Sequence, residues 1–269
     1  MKTYPKLLII AGSDSGGGAG IQADIKSAGA CGAYSATVIT AITAQNTLGV
    51  NAIEGVSPQM IANQFTAVMD DIGADAVKIG MLHSKEVIEE VAKHLQHYKA
   101  KHIVLDPVMV ATSGDPLLQE DAIQALMHQI IPQAELITPN VPEMQLLLGE
   151  TIKNSTEFSD YAKALAEKFK VSVLLKAGHL KGDKSVDILF NVKTKQITKL
   201  SSPRITTKNT HGTGCSLSSA LASYLAQGFS LEDASQKAKT FIYQAIKAGG
   251  DYKLGKGSGP IHHFYKLEG

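Results

Sequence analysis

Short continuous apolar runs alternate with stretches of helical periodicity along most of this chain. The runs are LLIIAG near 7–12, TVITAIT near 37–43, AVKIG at 76–80, HIVLDPV near 102–108, ELIT near 135–138 and VSVLLKAG at 171–178. Between them apolar residues recur at helical spacing near 20–31, 57–72, 84–98, 116–130, 142–149 and 156–169, and two more helices follow near 214–227 and 230–249. Continuous apolar strands separated by helices predict a mostly parallel sheet covered on both faces, the α/β class. DILFN and KQITKL flank the turn-like Val192-Lys193-Thr194 and predict a small hairpin at a sheet edge. No repeat, low-complexity block or composition shift marks a linker, so residues 1–269 read as a single domain.

In open parallel sheets ligands bind beyond the C-terminal strand ends. Those ends carry polar or glycine-rich residues in every case. The first leads into Gly12-Ser13-Asp14-Ser15-Gly16-Gly17-Gly18-Ala19-Gly20, with Gln22 and Asp24 beyond, and the second into Thr43-Ala44-Gln45-Asn46-Thr47. Gly80-Met81, Asp106-Pro107-Val108, Thr138-Pro139-Asn140-Val141-Pro142-Glu143 and Lys176-Ala177-Gly178-His179 follow the others. Asp106, Asn140 and Glu143 are oxygen donors of the kind that hold magnesium together with waters and phosphate oxygens. Asn140 and Glu143 equally suit a helix start, where capping and the dipole favour them. Lys176 at the end of an apolar strand requires an anion, either a nucleotide phosphate or a neighbouring carboxylate.

Thr210-His211-Gly212-Thr213-Gly214-Cys215 precedes Leu217, Ala220, Leu221, Tyr224 and Leu225, which describe one face of an amphipathic helix, with Gly228 at its C-terminal cap. HGTGC then reads as a tight loop feeding the first turn, where unpaired N–H groups and the dipole favour an anion. A cysteine there should lose its proton more easily than a free one. GAGIQA at 18–23 satisfies a loose dinucleotide fingerprint, but nothing acidic lies between Asp24 and Glu54 to bind a ribose, and no Walker A lysine follows.

Composition narrows the field without naming a ligand. Lys+Arg 26 against Asp+Glu 25 leaves a formal net charge of +1 with no basic block, which argues against nucleic acid or an anionic membrane. Two cysteines, Cys31 and Cys215, cannot build a disulfide framework, and no run approaches the roughly 20 apolar residues that span a bilayer. LLIIAG is too short for a signal peptide, so a cytoplasmic protein is expected. His94 with His97, and His262 with His263, have no cysteine nearby, and most of the histidines are expected in solvent; Cys31 is expected to pack.

Eight collinear blocks resemble the ribokinase-like kinases, and among them the hydroxymethylpyrimidine and phosphomethylpyrimidine kinases of thiamin biosynthesis. They are AGSDSGGGAGIQADIK, TAQNTLGV, VKIGML, VLDPVMVATSGDPLL, TPNVPE, LLKAGHL, THGTGCSLSSAL and GSGPIHHF. The resemblance implies a three-layer sandwich with a mostly parallel central sheet, and a homodimer. It implies ATP- and Mg2+-dependent phosphorylation of 4-amino-5-hydroxymethyl-2-methylpyrimidine to its monophosphate, then of the monophosphate to the diphosphate. By the same resemblance Cys215 is the general base, and Gly212, Thr213 and Gly214 form the anion hole. Asp106 and Glu143 are placed at the metal, and Asn140, Glu143 and Lys176 at the nucleotide. Gln45 meets the aminopyrimidine edge beside Ala19, Met81, Val108 and Asp24. The second substrate already carries a phosphate, whose charge the glycine loops and Lys176 are expected to hold. Ala177 replaces a glycine frequent in the family, and SDSGGGAG lacks a proline often found after the aspartate. The alternative within the family is a pyridoxal or pyridoxine kinase, whose members are alike in replacing the glutamine found here at position 45. A dinucleotide-dependent oxidoreductase and a non-catalytic sensor are the readings from other classes.

Overall fold

A computed structural model describes residues 2–109, 118–151, 158–177 and 183–267. The starts of the helices expected near 116–130 and 156–169 lie outside them, as do Gly178 and His179. One nine-stranded sheet runs through the described residues in the order β3-β2-β1-β4-β5-β6-β7-β8-β9. Its centre is parallel: β1 (Lys6–Asp14), β2 (Tyr34–Asn46), β4 (Ala76–Ile79), β5 (Ile103–Leu105), β6 (Leu136–Ile137) and β7 (Ser172–Leu175). At one edge β3 (Gly49–Gly55) folds back on β2, and at the other β8 (Lys184–Phe190) and β9 (Ile197–Pro203) form the expected hairpin.

Strand alternation sends side chains into two cores. Leu8, Ile10, Val77, Ile79, Ile103, Leu105, Val173 and Leu175 face α2 (Pro58–Met69), α3 (Lys85–His97), α4 (Glu120–Ala125), α5 (Val141–Leu148) and α6 (Phe158–Phe169). Leu7, Ile9, Ala76, Val104, Leu136 and Leu174 face α1 (Gly20–Ala30), α7 (Thr213–Ala226) and α8 (Leu231–Gly249). The helices begin where local chemistry allows. Ser57, Ser84 and Ser230 each accept an N–H of the first turn, and Pro58 takes the position that needs no donor.

Three expectations change. β2 is thirteen residues long and continues, with β3, beyond the body of the sheet; β3 has no buried residue, so no apolar pattern announced it. Helix α7 is not amphipathic but buried nearly all round, because it lies between the sheet, α1 and α8. Its second face is serine: Ser216 bonds His263, Ser219 donates to Asp24 Oδ1 at 2.7 Å, and Ser218 and Ser223 return to helix carbonyls. His263 is consequently buried, and His94 stacks on Phe65, so neither stands in solvent as expected.

Candidate active site

All the anticipated site residues except Asp24 line one cavity of about 420 Å³ above the C-terminal strand ends. One lobe holds Ala19, Gln45, Met81 and Val108 with Asp14, Val50 and Ile53; the other runs between the β8–β9 hairpin and α8, past Asp187, Lys239 and Tyr243. Asp106, Asn140, Glu143, Lys176 and the start of α7 lie on its wall as well.

Gly212 caps α7 in the left-handed region, φ +78°, and a Cβ there would strike the Gly18 carbonyl. Glycine is therefore required twice over, by conformation and by space. Thr213, Gly214 and Cys215 form the first turn itself rather than a loop before it; the Thr213 N–H donates to the Thr210 carbonyl at 3.3 Å, while those of Gly214 and Cys215 belong to the set with no intrahelical acceptor. A Cβ on Gly214 would stand 3.4 Å from both Asp106 Oδ2 and Lys176 Nζ, which places the glycine against these two charges.

The Cys215 thiol does not ionise easily, contrary to the expectation from its place on the helix. Burial pushes it up to about 11; Lys78 and the Gly20 N–H pull it down, while Asp24 and Asp106 push further up. Desolvation outweighs the helix start because the thiolate would sit in a site already holding two carboxylates.

Asp24 stands behind the wall, fully buried, and does not serve as a substrate contact. It accepts from Lys78 Nζ at 2.7 Å and from Ser219. Lys78, on β4 and also fully buried, does line the cavity, and burial notwithstanding, the carboxylates of Asp24 and Asp106 keep it protonated. Sequence reasoning passed over Lys78, although the argument applied to Lys176 holds for any lysine inside an apolar strand such as AVKIG.

Lys176 Nζ lies 2.6 Å from Asp106 Oδ1 and 3.9 Å from Glu143 Oε2, so carboxylates supply its anion. Asn140 and Glu143 form a capping box: Asn140 Oδ1 accepts the Glu143 N–H, and Glu143 Oε2 accepts the Asn140 N–H, each at 2.8 Å. Burial pushes the Glu143 carboxyl up to about 7, with Lys176 lowering and Asp106 raising it.

The glycine cluster is organised from within. Asp14 Oδ1 accepts the Gly16 N–H at 2.8 Å, and Oδ2 accepts those of Gly18 and Ala19 at 3.0 and 2.8 Å. These amides hold a carboxylate of the chain itself and are not open to a phosphate, which corrects the expectation placed on this loop. Burial works against the charge on Asp14, but His211 and the loop amides hold its carboxyl down at about 2. His211 Nε2 reaches Asp14 Oδ2 at 3.0 Å and lies 3.4 Å from Gln45 Nε2.

Residues 14–262 match the phosphomethylpyrimidine kinase family model. The chain is 47% identical over 260 residues to the hydroxymethylpyrimidine/phosphomethylpyrimidine kinase of Rhizobium meliloti, covering 96% of this chain and 97% of that one. Among solved structures, the phosphomethylpyrimidine kinase of Clostridium difficile is similar at 42% identity and a TM-score of 0.79, over 90% of this chain and 99% of that one. An ADP complex of Bacillus subtilis pyridoxal kinase is similar at 35% identity and 0.90, over 99% and 100%. With its ribokinase-like sheet and helices, this chain belongs to the phosphomethylpyrimidine kinase family.

Proposed function

We propose that this enzyme transfers the γ-phosphoryl of ATP to 4-amino-5-hydroxymethyl-2-methylpyrimidine and then to the resulting monophosphate. The observation that carries this reading is one cavity shared by Gln45, the Cys215 thiol, the start of α7 and Lys176. Gln45 presents a donor and an acceptor, as an aminopyrimidine edge requires. The helix start supplies N–H groups and a positive dipole end for the migrating phosphoryl, and Lys176 adds a fixed positive charge beside Gly214.

Phosphoryl transfer through a loose transition state asks chiefly for alignment and charge stabilisation. The alcohol oxygen forms a bond to the γ-phosphorus as the bond to the leaving oxygen breaks, and its proton passes to Cys215 Sγ in the thiolate form. At neutral pH a thiol near 11 is ionised to only about one part in ten thousand. Lys78 is the positive group that favours the thiolate, and little base strength is needed because the alcohol proton leaves late.

Asp106 and Glu143 bracket Lys176 with hard oxygen donors, and burial together with the Asp106 charge pushes Glu143 up despite Lys176, so the donor set fits Mg2+. Among the described residues no cluster of three or more His, Cys, Asp or Glu side chains gathers for a metal, so waters and phosphate oxygens would complete the shell. When bound, the ion would neutralise charge on the transferred group. Free Cys31 and Cys215 support a cytoplasmic, reducing location. Exposed Ile42 and Leu48 on the β2–β3 flap support a homodimer.

The similarity to pyridoxal kinase favours vitamin B6 as a second reading. Coupled ADP-release assays with the aminopyrimidine alcohol, its monophosphate and pyridoxal separate the two. Turnover of both pyrimidines supports the proposal; preference for pyridoxal with no turnover of the monophosphate overturns it.

A further inference from the structure

The donors and acceptors around Gln45 admit only one orientation of its carboxamide. Asp14 accepts three loop N–H groups and is ionised, so it offers no proton. His211 Nε2, 3.0 Å from Asp14 Oδ2, must therefore carry one. The same nitrogen lies 3.4 Å from Gln45 Nε2, which sets a donor against a donor. At the other end of the amide, Thr43 Oγ1 lies 2.8 Å from the Ser13 carbonyl and 3.3 Å from Gln45 Oε1. A hydroxyl has one hydrogen, and the Ser13 carbonyl takes it. Thr43 then turns only lone pairs towards an oxygen that also has none to give. Half a turn of the amide, which exchanges two atoms of nearly equal shape, mends both ends at once.

We infer that His211 and Thr43 lock the Gln45 carboxamide with its carbonyl towards His211 and its NH2 towards Thr43, so that the cavity accepts a heterocycle edge in one order only. The consequence for substrates rests on the aminopyrimidine reading of the cavity. The second N–H and second lone pair of the amide remain for the ligand. An exocyclic amine would then lie on the His211 side and the adjacent ring nitrogen on the Thr43 side. A 4-oxo ring, whose carbonyl and N–H reverse that order, would need the amide turned back against both neighbours. His211 and Thr43 are thus positioning residues for specificity, acting through Gln45.

Two measurements on the full chain test this. Long-range proton–nitrogen NMR of the ligand-free enzyme reads the His211 ring directly. A proton on Nε2 is expected at neutral and higher pH; the tautomer protonated on Nδ1 alone overturns the inference. In kinetics, the ratio of kcat/KM for the aminopyrimidine alcohol over its 4-oxo counterpart should fall about tenfold in Thr43→Val. Thr43→Ser, which keeps the acceptor, should retain the ratio. An unchanged ratio in Thr43→Val also overturns it. Failure of the unaltered enzyme to phosphorylate the aminopyrimidine would instead refute the proposed activity, and the NMR result would still decide the carboxamide.

Discussion

Cys215 occupies a helix position that ordinarily eases ionisation, and still keeps its proton. The difference lies in what surrounds it: a buried setting, two carboxylates and a lysine, Lys78, already bonded to Asp24. Position on a helix was legible in the sequence, but the sum of charges brought in from α1, β4 and the end of β5 was not. Alkylation of Cys215 by iodoacetamide, followed peptide by peptide in the ligand-free enzyme, should accelerate about tenfold per pH unit between pH 7 and 9 without a plateau. A plateau near neutral pH would show a thiol eased by the helix after all. Lys176 was correctly identified as needing an anion, and Asp106 and Glu143 are that anion.

At the scale of elements, whatever depends on neighbours in sequence was readable. The Asn140–Glu143 capping box, the serine caps and the edge hairpin each follow from a few adjacent residues. β3 escaped notice because none of its side chains is buried, and α7 was misjudged because its serines look like a solvent face until Asp24 and His263 are found opposite them. Gly212 joins α7 to the glycine loop. Gly212→Ala would cost about 1–2 kcal/mol for the left-handed backbone alone. Collision with the Gly18 carbonyl should displace the helix start as well, lowering kcat about 100-fold. Steady-state kinetics and urea denaturation check both; wild-type kcat in this variant would refute a role for the helix start.

For the whole molecule, strand ends on one side of a parallel sheet located the cavity before any contact was known. Which strands neighbour one another, and the long β2–β3 flap, were beyond a local reading. The flap leaves Leu48 70% and Ile42 57% exposed, more apolar surface than an isolated edge needs. Sedimentation should find a dimer, reduced to a monomer by Ile42→Asp with Leu48→Asp. A monomeric unaltered chain would remove the dimer from this account.

The central claim, that Cys215 receives the alcohol proton beside a helix start holding the phosphoryl, is tested most directly by the kinetics of Cys215→Ala. With Mg2+-ATP and the aminopyrimidine alcohol, kcat should drop by about 100-fold or more while KM for the alcohol changes only a few-fold. An unchanged kcat would contradict the claim and leave the backbone and Lys176 as the whole of the catalytic apparatus.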